Sequence, residues 1–327
     1  MANGVQRDSS GDLISVPATM NYQTEEGTEH SLVANGKLYT KRDGSGQDSE
    51  WVGITAVPKQ VNVHNARRIN ASLDEEGFML YDSPTAVKRE GFDDIYTILK
   101  DYYSECAELV KKVTGASFVA AFDHNVRSVK NAGTHIKDGA AKLKPVTLVH
   151  SDYTLNGSPL RLQQLTQPPG NNDEFRKVLG RTPLLPADAV ERAKRGRFSI
   201  VNVWRSLLPC KLEKQPLAVC DARTVRPEEL CVFEVHYADR IGENYFVTHK
   251  PEHQWYYYPH MTPSEALLFK QWDSEGTIAG GDKAVMALHT AFKDSTASPD
   301  APDRESVEVR CICIFDEDKQ ATPTSKL

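Results

Sequence analysis

Pro145-Val146-Thr147-Leu148-Val149-His150-Ser151-Asp152-Tyr153 is the stretch on which the fold and the chemistry turn. Its apolar run has strand character, and residues two apart in a strand point to the same side, so His150 and Asp152 converge on one point at its end. A lone His-x-Asp is a weak signal, because a strand-end histidine followed by an aspartate opening the turn Tyr153-Thr154-Leu155-Asn156-Gly157 accounts for it equally well. The downstream sequence adds to it. His289 sits in Ala287-Leu288-His289-Thr290-Ala291-Phe292, and Arg304-Glu305-Ser306 opens the alternating segment Val307 to Phe315. Two histidines and a carboxylate can fill one face of an octahedral Fe(II) and leave the other face to a co-substrate and O2.

Working outward, strand-like segments come in succession: 117–123, 145–152, 197–206, 216–221, 230–238, 243–249, 254–258, 265–272 and 307–315. Many short strands with few intervening helices predict a barrel or sandwich. One long helix is expected from Asp93 to about Thr114, where Ile95, Leu99, Tyr102, Tyr103, Cys106, Leu109 and Val110 recur at three- and four-residue spacing and Gly115 follows as a stop. Its apolar stripe calls for the outside of a sheet. Residues 173–194 read as short helices over or beside the barrel mouth. Residues 1–50 are polar and rich in Gly and Ser, which predicts a loosely ordered arm. A single catalytic domain is expected over 51–318, and a flexible tail over 319–327.

Composition excludes several classes. The chain has 327 residues and a formal net charge of −6, spread without a basic stripe, so nucleic-acid binding is not expected. No apolar run approaches the ~20 residues of a membrane-spanning helix, and the first residues, Met1-Ala2-Asn3-Gly4-Val5-Gln6-Arg7-Asp8, lack the apolar core of a secretion signal. Six cysteines form neither a disulfide framework nor a Cys-x-x-Cys pattern; they read as buried thiols in a reducing compartment. The final Ser325-Lys326-Leu327 matches the tripeptide read by the peroxisomal import receptor, which makes the peroxisome the expected location and the cytoplasm the alternative.

Over about Phe78 to Phe315 the chain resembles the fungal asaB-type hydroxylase/desaturase family, which includes gibberellin-desaturase-like proteins and a cephamycin-pathway methoxylase subunit. The likeness rests on Phe122-Asp123-His124-Asn125-Val126-Arg127, Val149-His150-Ser151-Asp152-Tyr153, Asn202-Val203-Trp204-Arg205, Pro216 to Arg223, Trp255 to Pro259, Glu265 to Ser274 and Arg304 to Arg310. One departure is Ser206, where the family pattern has Pro after the Asn-Val-Trp-Arg motif.

The resemblance implies a double-stranded β-helix, or jelly-roll, mainly β with flanking helices. It also implies an Fe(II)/2-oxoglutarate-dependent oxygenase of secondary metabolism that oxidises an unactivated C–H bond of a small acid or amino-acid-derived substrate. His150, Asp152 and His289 would be the metal ligands. Arg304, whose planar guanidinium suits a carboxylate, would hold the far end of 2-oxoglutarate with Ser306, and Arg310 is the second candidate anchor. Asn202 and Trp204 share one strand face and Arg205 the other; the expectation is that Asn202 and Trp204 face inward, Asn202 near the co-substrate, with Trp204, Arg205 and Arg127 as substrate candidates. An Asp123–Arg127 ion pair is the competing account of Arg127. Alternative functions are aziridine-type ring closure on a free amino acid in the same site, or a non-catalytic accessory subunit.

Overall fold

The computed structural model describes residues 4–42, 48–237 and 240–316. Two sheets face each other. The smaller has five strands in the order β6 (Phe78–Asp82), β14 (Glu265–Asp273), β9 (Arg197–Ser206), β16 (Glu305–Phe315) and β7 (Phe118–Ser128). Along the larger lie β1 (Gln6–Arg7), β2 (Leu13–Gln23), β5 (Ala56–Asn65), β13 (Trp255–Tyr257), β10 (Leu217–Cys220), β15 (His289–Ala291), β8 (His150–Ser151), β12 (Ile241–Val247), β11 (Leu230–His236), β3 (Tyr39–Arg42) and β4 (Asp48–Val52). This is the jelly-roll that the family resemblance implied, with the many strands that the sequence pattern anticipated.

Period-two alternation gives the smaller sheet two unlike faces. Its inner face carries Asn202 and Trp204 of β9 and Ser306, Glu308 and Arg310 of β16, set opposite Arg127, Asn125 and Asp123 of β7. The outer face packs under a helix: α1 (Ile95–Thr97) continues through a π-turn (Ile98–Tyr102) into α2 (Tyr103–Thr114). Asp94 caps the start by accepting from the Thr97 amide, and Gly115 ends it in the left-handed region at φ 71°. The stripe anticipated from the sequence is the buried one, and the Tyr103 hydroxyl is 2.8 Å from His124 Nδ1 on β7.

Two expectations need correction. The described part of the segment 1–50 is not a loose arm: Leu13–Gln23 pairs along its length with β5 and buries Val16, Ala18, Met20 and Tyr22. Here the alternation of apolar with small polar residues carried the strand signal, and the polar average concealed it. Strand 145–152 shrinks to His150–Ser151, because Pro145 has no N–H to donate and the run before His150 is held by single bonds, Val149 N to Asn21 O at 2.9 Å and Ala291 N to Val146 O at 2.8 Å. Within 173–194, α3 (Arg176–Leu179) and α4 (Ala189–Arg195) form, with α4 lying against β9 and β16 on the flank of the barrel. The tail at 319–327 with Ser325-Lys326-Leu327 lies outside the described residues.

Candidate metal centre and its surroundings

His150 and His289 are paired directly across β8 and β15, so their imidazoles share the inner face of the larger sheet. Their ring centroids are 4.3 Å apart. His150 Nδ1 lies 2.8 Å from the Leu148 carbonyl and His289 Nδ1 3.4 Å from that of Ala287. A carbonyl can only accept, so both rings carry hydrogen on Nδ1 and turn the Nε2 lone pair inward. Asp152, two residues after His150, brings Oδ1 to 3.7 Å from His150 Nε2. One donor atom from each of the three lies within 4.8 Å of the others.

Protonation fits a metal. Burial, then the neighbouring His289, pushes His150 down to about 4; burial also takes His289 to about 4. Both rings are neutral ligands near neutral pH. Burial works against the charge on Asp152, but Arg310 and the two imidazoles outweigh it and hold the carboxyl well below the usual range. Two neutral nitrogens and one ionised oxygen are the donor set that suits Fe(II).

Other side chains fix the aspartate. Its Oδ2 accepts from Arg310 Nε at 3.0 Å and from Asn202 Nδ2 at 3.1 Å, and its backbone N–H donates to Gln271 Oε1 at 2.7 Å. Asn202 and Trp204 do face inward, but Asn202 reaches the metal-site carboxylate. Arg310 is committed to Asp152 and to Asp123, at 2.6 Å, which removes it as a free anchor and leaves no Asp123–Arg127 pair. Sequence reasoning missed Gln271. It stands in an apolar strand whose register shifts between Lys270 and Trp272, and alternation alone could not aim it at Asp152.

Arg304 is 2% exposed and lies over the Trp204 ring at 4.9 Å. Its Nε donates to Ser306 Oγ at 3.0 Å and Nη1 to the Gln215 carbonyl at 3.0 Å. Among the described residues no carboxylate pairs with it, and burial followed by the field of Arg127 pushes its guanidinium down to about 9. Arg127 itself donates to the Lys144 carbonyl at 2.8 Å and is half-buried on the inner face. Arg205 is on the wrong side for a substrate: it points out under the helix, with Nε 3.3 Å from the Tyr102 hydroxyl and Nη1 2.8 Å from the Pro263 carbonyl.

Comparison with known proteins agrees with this site. A family profile described as "Oxidoreductase/YMDC permease-like domain" matches residues 20–314, although among the described residues no helix is long and apolar enough to cross a membrane. The chain is 35% identical over 325 residues to "Hydroxylase/desaturase efuI" of Hormonema carpetanum, covering 93% of this chain and 96% of that one. It is 33% identical over 262 residues to "Fe(II)/2-oxoglutarate-dependent dioxygenase nvfI" of Aspergillus novofumigatus, covering 78% and 83%. The solved structure titled "iron and alpha-ketoglutarate-dependent endoperoxidase NvfI" superposes with a TM-score of 0.70 at 24% identity, over 93% of this chain and 99% of that one.

Proposed function

Because the chain belongs to the oxidoreductase family that holds the fungal hydroxylase/desaturases and dioxygenases, we propose that it is an Fe(II)/2-oxoglutarate-dependent dioxygenase of secondary metabolism that hydroxylates or desaturates a small organic acid. The observation that carries this reading is the convergence of His150, Asp152 and His289, with one donor atom of each within 4.8 Å of the others. When bound, iron and 2-oxoglutarate supply the oxidation of an unactivated C–H bond by O2.

The chain's own residues do the rest. The two imidazoles and Asp152 hold the metal. Arg310 and Asn202 occupy Asp152 Oδ2 and so leave Oδ1 facing the imidazoles. Arg304 takes the far carboxylate of 2-oxoglutarate with Ser306 beside it: a buried guanidinium without an anion is costly, and a carboxylate placed there supplies its partner. Trp204 stacks on that arginine and, with Leu208, Leu212, Leu217 and Phe269 in the same apolar cluster, keeps water from it. The accessory-subunit reading has no support, since every donor is present and correctly protonated; ring closure on a free amino acid gains none from the named relatives.

The deciding experiment is anaerobic reconstitution with Fe(II) and 2-oxoglutarate, followed by a screen of organic acids for succinate release on admission of O2. Stoichiometric succinate with one acid supports the reading. No iron uptake and no succinate with any acid rejects it.

A further inference from the structure

Three non-glycine residues among those described have a positive φ: Asp138 at 58°, Gln215 at 53° and His260 at 53°. Asp and His enter the left-handed region more readily than most residues, whereas glutamine has no such ease. Pro216 follows and favours extended backbone at the position before it, so the turn at Gln215 is disfavoured on two counts. Nor does the side chain compensate, because among the described residues Gln215 Oε1 is buried without a hydrogen-bond partner. A conformation of this kind persists only where its surroundings hold it, and such positions gather at functional sites.

What the turn delivers is the Gln215 carbonyl, which accepts from Arg304 Nη1 at 3.0 Å. A guanidinium carries five N–H groups in one plane. In Arg304 the Nε hydrogen goes to Ser306 Oγ at 3.0 Å and one Nη1 hydrogen to Gln215, which fixes the plane of the fork and its rotation. Both Nη2 hydrogens and the second Nη1 hydrogen remain for an anion. Ser306 lies only two residues further along the same strand, so it cannot by itself register Arg304 against the rest of the barrel. Gln215 can. It stands just before β10, whose Leu217 and Val219 pair with Ala291 and His289 of β15, and the Pro216 carbonyl accepts from the Phe292 amide at 3.3 Å. One short run of backbone therefore touches the buried arginine at its start and lies against a metal ligand at Val219.

We propose that Gln215 is a positioning residue: its left-handed backbone sets the Arg304 fork at a fixed distance from the metal centre and so selects 2-oxoglutarate over its longer homologue. The effect runs through the carbonyl and needs no contact from the side chain. This deepens the oxygenase reading and rests on it.

The test is anaerobic titration of the full-length Fe(II) protein, followed by visible absorption, with 2-oxoglutarate and with 2-oxoadipate, whose two head groups stand one methylene further apart. The parent should bind 2-oxoglutarate at least tenfold tighter. Gln215→Gly admits the turn without strain and Gln215→Ala keeps the turn while removing the amide, so both should retain that preference and an affinity within threefold of the parent. Gln215→Val, whose branched Cβ is least compatible with a positive φ, should lose tenfold or more in 2-oxoglutarate affinity and most of the preference, with stoichiometric iron uptake unchanged. In an Arg304→Lys background the same substitution should weaken binding less than threefold, since the carbonyl acts through Arg304. A parent that binds both acids alike overturns the proposal, as does a Gln215→Val protein with the parent's affinity or preference. An equal loss in Gln215→Ala would transfer the role to the side chain, and full additivity with Arg304→Lys would detach it from the arginine; either result also overturns it. Should Gln215→Val take up no iron, Gln215→Thr repeats the measurement, and loss of iron in both would make the turn an element of folding alone, which overturns it as well. A parent protein without 2-oxoglutarate-dependent absorption is a different failure, that of the oxygenase reading.

Discussion

Replacing Arg304 separates what the guanidinium does for the co-substrate from what it does for the fold. It is 2% exposed and held down to about 9 by burial and by Arg127. A base whose folded pKa is lowered destabilises the fold throughout the range below that value, and the cost fades only as pH rises past about 9. At neutral pH the apoprotein therefore carries a desolvation cost of several kcal/mol, partly offset by the bonds to Ser306 and the Gln215 carbonyl. With Arg304→Met that cost disappears, the Gln215 carbonyl loses a partner at ~1–3 kcal/mol, and the apoprotein should melt at a similar or higher temperature. Affinity for 2-oxoglutarate should move the other way. Losing two charge-assisted bonds of ~1.5–3 kcal/mol each weakens binding by roughly two to four powers of ten at 1.4 kcal/mol per tenfold. Arg304→Lys keeps the charge and loses the fork, for a loss of about 10- to 30-fold. Anaerobic titration of the Fe(II) protein with 2-oxoglutarate, followed by visible absorption, measures the affinity. Thermal melts with co-substrate at 100 times its Kd, where the parent gains ~2.7 kcal/mol, give an independent reading. An Arg304→Met protein that keeps both its 2-oxoglutarate affinity within threefold and its thermal gain would place the co-substrate elsewhere.

Four further outcomes are expected. His150→Ala, Asp152→Ala and His289→Ala should each abolish stoichiometric iron uptake, measured by metal analysis after anaerobic reconstitution; full loading of any one would reject the triad. Since His150 and His289 sit at about 4 in the fold against 6.5 ordinarily, the unfolded chain binds more protons between those values, so apoprotein stability should fall as pH drops from about 6.5 towards 4 and be flat above it in the share these rings contribute, as read in denaturant melts of the parent against His289→Phe. Asp273→Asn should cost about 3–5 kcal/mol, because it strips the counter-charge from buried Lys270 and from Arg197, and equilibrium denaturation measures it. Deleting Ser325 to Leu327, which we propose as a peroxisomal address, should leave iron and 2-oxoglutarate binding unchanged and move an N-terminally tagged protein from punctate bodies to a diffuse distribution; puncta that persist would reject the address.

The metal centre was legible because it follows from local rules. Side-chain alternation fixes that His150 and Asp152 share a face, and the same rule puts Asn202 and Trp204 on one side of β9 with Arg205 on the other. The choice between those two sides was less open than periodicity made it. Arg205 lies beneath a helix whose stripe the sequence displayed, and the Tyr102 hydroxyl of that stripe is its partner. Pairing between distant segments was not legible. His150 opposite His289, and Arg310 on Asp152, join residues more than a hundred positions apart, and no short-range pattern encodes such a register. This explains the one site residue whose role shifted most. Asn202 looked like a co-substrate ligand because it neighbours Trp204, yet the β9–β16 register sets it beside Arg310, and the two together grip Asp152 Oδ2. The strand Leu13–Gln23 was lost for a different reason, since a window averaged over fifty polar residues cannot register an eleven-residue alternation. The stack of aromatic rings combines both difficulties: Trp51, Phe233 and Phe246 come from three strands, and each is ordinary in its own segment. Chemistry carried by one strand can be read from its sequence, whereas the partners that fix it are distributed over the strand order and become visible only when the two sheets face each other.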